Sequence, residues 1–182
     1  IDRDATALPA HQVALIRAVC AANPRTVVVL NVAHPVDTGC LADAAAVMVV
    51  WYPGQEFGPA LASVLAGDRE PGGRLPVTFA QRLDDYPVRS LTPDAAGDLW
   101  YHERQQVGYR WFNARERPAA WAFGHGLGYA DITLIAAALT GDEVDALQLR
   151  CRLENRAARA GKAVVQLYMR GPDTAWSALA EF

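Results

Sequence analysis

The sequence predicts an α/β fold: a partial α/β/α sandwich with a parallel sheet, followed by a truncated β-sandwich. Three observations carry this prediction. Helical and strand patterns alternate with short connections up to residue 67, the strand patterns are continuous apolar runs, and the period becomes two after Tyr129. Alternating strands and helices favour a parallel sheet covered by helices, whereas short alternating strands joined by turns favour a β-sandwich.

The elements of the first half follow in order. Apolar residues near a 3.6-residue period predict a helix over 11–22, which Asn23-Pro24 ends. The β-branched run over 26–32 is typical of a strand buried on both faces of a parallel sheet. The remaining predictions are a short helix over 41–44, a second buried strand over 46–51, and a helix over 58–66 that Gly67 closes.

The second half is less regular. Residues 71–126 contain turn residues, a predicted short strand over 75–79 and a long aromatic-rich stretch of a kind that is usually functional or wraps a neighbour. Apolar residues alternate with polar ones over 147–153 and predict a strand, and another is predicted over 164–168. We therefore expect an α/β domain over residues 1–128 and a β-sandwich domain over residues 129–182.

The composition excludes several classes of partner. A hydrophobic fraction of 52% and a charged fraction of 20% are those of a soluble globular protein. A net charge of -3 provides no basic surface, so we expect neither nucleic acid nor a membrane as partner. The three cysteines, Cys20, Cys40 and Cys151, are far apart and show no metal-ligand spacing, so we expect no metal and no cofactor.

The most informative segment is Trp51-Tyr52-Pro53-Gly54-Gln55-Glu56. A hydrophobic strand ends in an aromatic pair, the chain turns at Pro53-Gly54, and a helix begins. Open α/β sheets place ligands where strands end and helices begin. Aromatic rings and a carboxylate at that point suit a sugar, which has apolar ring faces and many hydroxyl groups.

Six motifs occur along the chain in a fixed order. They are VVVLN over 27–31 with Pro35-Val36, WYPGQE over 51–56, LAGD over 65–68 with PGGRLPVTF over 71–79, VGYRWF over 107–112, FGHGLGY over 123–129, and VVQLY over 164–168. Together they resemble glycoside hydrolase family 3, the β-glucosidase-type enzymes. The sequence departs from the family pattern at Ala33-His34, Phe57 and Glu103-Arg104, where Gly-Ser, a second Gly and Glu-Gly are common. These departures either alter a substrate rim or reflect drift.

The resemblance implies three domains in the complete enzyme: a barrel, an α/β sandwich and a fibronectin type III-like β-sandwich. This chain would hold the latter part of the second domain and the start of the third. The implied chemistry is retaining hydrolysis of β-glycosidic bonds, with a barrel aspartate as nucleophile and a glutamate as acid/base. Ile1-Asp2-Arg3 matches the end of the glutamate's motif, so the glutamate would fall two residues before Ile1. We therefore expect no catalytic residue within the chain, which reads as an interior piece of a longer enzyme.

Five residues are candidates for contact with a substrate: Asp2, Arg3, Trp51, Glu56 and Glu103. Each has a structural alternative. In the structural interpretation, Asp2 and Arg3 are a solvated ion pair and Trp51 is a buried aromatic residue at a strand end. In the same interpretation, Glu56 interacts with a helix dipole and Glu103 is a solvated loop carboxylate.

Two functions of different classes stay open on the sequence. In the first, the chain is part of a β-glucosidase-like hydrolase, with a β-glucoside-like carbohydrate as substrate and the missing N-terminal barrel as partner. In the second, it is a non-catalytic module that binds carbohydrate or another protein. The sequence predicts neither the oligomeric state nor the localisation.

Overall fold

The computed structural model describes residues 6–88, 92–141, 147–172, 174 and 177–181. Asp2 and Arg3 lie outside these ranges. The chain divides into two compact units. Unit 1 comprises residues 1–55, 75–125 and 166–182, and unit 2 comprises residues 56–74 and 126–165.

The described residues form a mixed α/β structure, as predicted. The helices α1–α3 are Ala10–Ala22, Phe57–Leu65 and Tyr109–Ala114, and a 3-10 helix spans Leu83–Asp85. The strands β1–β6 are Val27–Leu30, Ala46–Val49, Ile132–Thr140, Gln148–Asn155, Leu167–Met169 and Ala178–Glu181. None of the helices within the described ranges is long and apolar enough to cross a membrane.

Unit 1 contains the predicted parallel pairing. Strands β1 and β2 run side by side, with Val27 opposite Ala46 and Leu30 opposite Val49. Helix α1 precedes them and occupies almost the range predicted for it. Strands β5 and β6 form a separate antiparallel pair in the same unit.

The core of unit 1 forms around Phe79, whose side chain is fully buried. The ring centroids of Trp51 and Trp121 lie 6.0 and 5.2 Å from that of Phe79. Four aliphatic residues complete the buried cluster: Val28, Leu30, Val36 and Leu41. The prediction that β1 is buried on both faces is wrong, because Val28 and Leu30 are buried whereas Val29 is half-buried and Val27 is 43% exposed.

Three predicted elements differ from the structure. Residues 41–44 form turns closed by i to i+3 bonds rather than a helix, since so short a segment does not offset the cost of helix nucleation. Residues 75–79 are not a strand. Pro76 has no N–H to donate, and only Phe79 bridges to Trp121. The strand predicted over 164–168 is instead β5, which pairs with the short β6.

Unit 2 combines α2 with the antiparallel pair β3 and β4. Ile132 lies opposite Asn155 and Thr140 opposite Gln148, with an irregularity between Leu134 and Ala136. Strand β4 confirms the strand predicted over 147–153, but its side chains do not alternate between buried and exposed, since only Cys151 is half-buried. Helix α2 ends as predicted at Gly67, whose φ of 84° is the left-handed conformation that commonly terminates helices.

Candidate functional site

A cavity opens in unit 1 at the carboxyl ends of β1 and β2. Its volume of 320 Å³ lies at the lower end of the roughly 300–1,000 Å³ usual for small-molecule sites. The lining comes from the start of α1, the segment after β1 and the turn after β2: Ala7, Leu8, Pro9, Gln12, Asn31, Val32, Ala33, His34, Val36 and Tyr52. The carboxyl ends of parallel strands are the usual ligand-binding edge of an open α/β sheet.

Hydrogen bonds fasten the segment before α1 to the segment after β1. The Thr6 hydroxyl donates to the Asp37 carboxylate, and the Asp37 N–H donates to the Thr6 carbonyl at 3.1 Å. Helix α1 then begins with the Pro9 carbonyl, which accepts from the N–H of Gln12 at 2.9 Å and of Val13 at 3.1 Å. Two sides of the cavity are therefore held together by main-chain and side-chain bonds.

The lining combines an apolar floor with a polar rim. Three lining residues pack against the hydrophobic core: Leu8, Val32 and Val36. Three others carry amide or hydroxyl groups on exposed side chains: Gln12, Asn31 and Tyr52. None of these three side chains forms a hydrogen bond within the part of the chain that the structure describes. Among the described residues, these polar groups therefore have no competing hydrogen-bond partner.

His34 is the half-buried polar residue of the lining. Its Nδ1 lies 2.7 Å from the carbonyl oxygen of Pro35. Because a carbonyl oxygen only accepts, Nδ1 carries the proton in this bond. In the neutral imidazole, Nε2 is then an acceptor. Among the described residues, the Pro35 carbonyl is the one hydrogen-bond partner of this ring.

Trp51 lies where β2 leads into the next turn. Its φ of 49° is left-handed, an uncommon conformation for a bulky residue. The partly buried indole packs against Phe79, so it belongs to the core. The turn continues into Tyr52, which is 79% exposed and lines the cavity. The contact of Trp51 itself with a substrate stays a prediction.

The two predicted carboxylates within the described residues, Glu56 and Glu103, lie in different units. Glu56 is the exposed residue that precedes α2 in unit 2, and its side chain makes no capping hydrogen bond. Glu103 is half-buried in unit 1, in a turn where its carbonyl accepts from the Gln106 N–H at 2.9 Å. No hydrogen bond, ion pair or ring contact joins Glu103 to Trp51, both of which the structure describes.

The loop before Glu103 exposes two aromatic side chains, Trp100 at 64% and Tyr101 at 72%. The Trp100 Nε1 donates to Asp94 Oδ2 at 2.9 Å, and Asp94 Oδ1 accepts from the N–H of Asp98 at 2.9 Å. These hydrogen bonds, the bond with the Asp98 backbone above all, lower the pKa of the Asp94 carboxyl. The loop therefore fixes one edge of the exposed indole through its own hydrogen bonds.

Sequence reasoning found the strand end at Tyr52 but missed most of the cavity. It did not select Gln12 or Asn31, and it found no metal-ligand spacing at His34, which it otherwise treated as a departure from a motif. The available signal was the parallel pairing itself, since it brings the segments after both strands to one edge of the sheet. Across the described ranges, no group of three or more His, Cys, Asp or Glu side chains is placed to hold a metal ion.

An α/β unit with a small cavity of mixed polarity at this edge defines a domain suited to binding a small ligand. Residues 1–129 match the family model of the glycosyl hydrolase family 3 C-terminal domain. The chain therefore belongs to glycosyl hydrolase family 3, as its motifs predicted.

The curated relatives are β-glucosidases. The β-glucosidase of Rhizobium radiobacter is 44% identical over 172 residues, which cover 91% of this chain and 21% of that protein. The β-glucosidase of Kluyveromyces marxianus is 36% identical over 170 residues, covering 92% of this chain and 20% of that protein. The chain thus spans about a fifth of the length of these relatives.

Solved structures agree with the fold. A β-glucosidase from Streptomyces venezuelae, in complex with D-glucose, superposes with a TM-score of 0.87 at 34% identity, over 98% of this chain and 24% of that one. The family 3 β-glucosidase of Bifidobacterium adolescentis gives a TM-score of 0.90 at 28% identity, over 100% of this chain and 28% of that one. They confirm the mixed α/β class, whereas the fibronectin type III-like character of the later strands stays a prediction.

Proposed function

We propose that this chain is a structural and substrate-facing part of a β-glucosidase that hydrolyses β-glycosidic bonds with retention of configuration. The observation that carries the proposal is the 44% identity, over 91% of the chain, to a protein named β-glucosidase. A relative at 34% identity was solved with D-glucose bound, which supports a glucose-like ligand.

The cavity supports a sugar as ligand on physical grounds. An apolar floor of Leu8, Val32 and Val36 suits the C–H face of a pyranose ring. The exposed amide and hydroxyl groups around it suit ring hydroxyls, which both donate and accept. A few polar groups placed around an apolar surface are the usual composition of a small-ligand site.

The proposal assigns both catalytic carboxylates to other parts of a longer protein. A retaining glycosidase needs two carboxyl groups about 5–5.5 Å apart. None of the described residues that line the cavity is an aspartate or a glutamate. The chain would then supply binding surface and support, and a barrel domain would supply the nucleophile.

The untested residue roles belong to the same proposal. Asp2 and Arg3, which lie outside the described residues, are assigned to substrate contacts on the family resemblance. Trp51, Glu56 and Glu103 are assigned to sugar contacts in the assembled enzyme. The domain boundary is placed at residue 128, with residues 129–182 as the start of a fibronectin type III-like domain.

A chimera tests the proposal. The corresponding segment of the Rhizobium radiobacter β-glucosidase is replaced by this chain, and release of nitrophenol from p-nitrophenyl β-D-glucoside is measured. We expect activity from the chimera and from the unaltered relative, and none from the 182-residue chain alone. A folded chimera without activity contradicts the proposal and favours a non-catalytic binding module. Turnover by the isolated chain contradicts the assignment of both carboxylates to other segments.

A further inference from the structure

We infer that His34 determines the ligand specificity of the cavity by accepting a hydrogen bond at Nε2 from one hydroxyl group of a neutral sugar. This inference rests on the proposed function for the class of ligand. It adds a residue and a direction of hydrogen bonding that the family relationship does not supply. The carrying observation is the bond between Nδ1 and the Pro35 carbonyl at 2.7 Å, on a ring that lines the cavity.

The Pro35 bond restricts what the ring can offer. With the proton fixed on Nδ1, the neutral imidazole has a single remaining polar atom, and that atom only accepts. Rotating the ring to exchange the two nitrogens would break the bond to Pro35. Half-burial of the His34 side chain further limits such rotation.

The other polar groups of the rim are less demanding. The amides of Gln12 and Asn31 each offer both a donor and an acceptor, and the Tyr52 hydroxyl can do either. They adapt to a ligand hydroxyl in either orientation. His34 does not adapt, so it requires a donor at one position of the ligand.

The charge of the lining indicates a neutral ligand. The described lining residues include no Asp, Glu, Lys or Arg, so they offer no ionic partner to an anion or a cation. A sugar ring satisfies both conditions, because its hydroxyls supply the donor and its C–H face meets the apolar floor. A site built to hydrogen-bond a ligand hydroxyl discriminates against the analogue that lacks it.

The test is a titration of the isotope-labelled 182-residue chain with D-glucose and with each monodeoxy-glucose at mildly alkaline pH, followed by histidine ¹⁵N and ¹H NMR. Four chains are compared: the wild type, His34→Phe, His34→Gln, and the control His102→Phe, which alters an exposed histidine outside the cavity lining. The phenyl ring keeps the shape of imidazole without an acceptor, whereas glutamine restores one.

In the wild type we expect the proton on Nδ1 in the free chain and a saturable shift of Nε2 with D-glucose. Loss of one hydrogen bond predicts about 3- to 10-fold weaker binding by His34→Phe. His34→Gln and His102→Phe should bind nearly as the wild type does. One monodeoxy-glucose should bind the wild type weakly, and His34→Phe should bind it and D-glucose equally.

Several outcomes would overturn the inference. They are a proton on Nε2 in the free chain, no saturable shift at His34 with any of the sugars, and wild-type affinity in His34→Phe. The tautomer and the shift are read on the wild type, so they test the inference even if a variant fails to fold.

The chimera assay separates this inference from the proposed function. An active chimera whose KM is unchanged by His34→Phe removes the inference alone, and sugar binding through His34 with a folded, inactive chimera removes the proposed function alone.

Discussion

The two units of the chain are stabilised in different ways. Unit 1 has a buried core in which Phe79 is 0% exposed and Leu30, Val36 and Leu41 are each 4% exposed. In unit 2, none of the residues that the structure describes is buried, and both faces of the β3–β4 pair carry exposed side chains.

Unit 2 depends on polar contacts around Glu70. Its carboxylate accepts from the N–H of Tyr129 at 3.0 Å and of Ala130 at 3.2 Å, and Arg159 Nε lies 3.4 Å from the other oxygen. Arg159 also donates to the Gly67 carbonyl and lies over the Tyr129 ring, and the Tyr129 hydroxyl donates to the Val64 carbonyl at 2.7 Å. We name this set the Glu70 cluster. It joins the end of α2 to the chain that enters β3.

The comparison shows which interactions stabilise each unit. The core of unit 1 supports the cavity directly, since Val36 belongs to both. The β3–β4 pair has only its ladder and the Glu70 cluster, and isolated two-stranded hairpins are marginally stable in water. Stability should therefore respond to apolar truncation in unit 1 and to charge removal in unit 2.

The largest effect is expected from Phe79→Ala. Removing a fully buried ring between two indoles should lower the free energy of unfolding by about 3–5 kcal/mol. Urea denaturation followed by Trp fluorescence measures it. The control is Leu127→Ala in unit 2, where the side chain is 79% exposed and the change should stay within about 0.5 kcal/mol. Equal losses of unfolding free energy in the two variants would contradict the conclusion that only unit 1 has a buried core.

The second effect is expected from Glu70→Ala, which removes the ion-pair partner of Arg159 and leaves two main-chain N–H groups without their acceptor. The expected cost is about 1–3 kcal/mol, seen as faster hydrogen exchange of the Tyr129 and Ala130 amides. Glu154→Ala is the control, because its ion pair with Arg156 is exposed on both sides and should contribute about 0–1 kcal/mol. Similar exchange rates in the two variants would show that the Glu70 cluster does not hold unit 2.

Sequence patterns predicted the parts of the fold where local signals and tertiary packing agree. Local signals and tertiary packing agree in three places: helix α1, the parallel pairing of β1 with β2, and the end of α2 at Gly67. The short helix over 41–44 and the strand over 75–79 failed because single turns and Pro76 limit what a local apolar run can form.

The candidate site was predicted only in part. The strand end at Trp51-Tyr52 was visible because a change from strand to turn is a local signal. Gln12, Asn31 and His34 come from segments whose proximity depends on the pairing of β1 with β2 and on the bond between Thr6 and Asp37. No pattern within a single segment contains that information.

Smaller effects on stability are expected at two glycines of unit 2, a loss at Gly67 and a gain at Gly58. Gly67 has a φ of 84°, and a β-carbon at this position would meet open space, so Gly67→Ala should lower the free energy of unfolding by about 1–2 kcal/mol through backbone strain alone. Gly58 lies within α2, also beside open space, so Gly58→Ala should gain about 0.5–1 kcal/mol from helix propensity. Thermal denaturation compares the two. A loss at both positions would mean that packing, not backbone conformation, governs the end of this helix.

The smallest effect on stability is expected from Leu139→Lys in β3, since Leu139 is 58% exposed opposite Leu149 and exposed substitutions usually stay within about 0.5 kcal/mol. The same substitution should have a measurable effect on self-association of the chain. Exposed apolar side chains on a strand pair favour pairing with another copy, and Leu139→Lys removes one of those apolar side chains. Light scattering should show association of the wild-type chain that rises with concentration and falls in Leu139→Lys. Gln148→Lys, on the partner strand beside it, adds the same charge without removing an apolar group and should associate as the wild type does. A monodisperse wild-type monomer at high concentration would contradict the association expected from the exposed apolar side chains of unit 2.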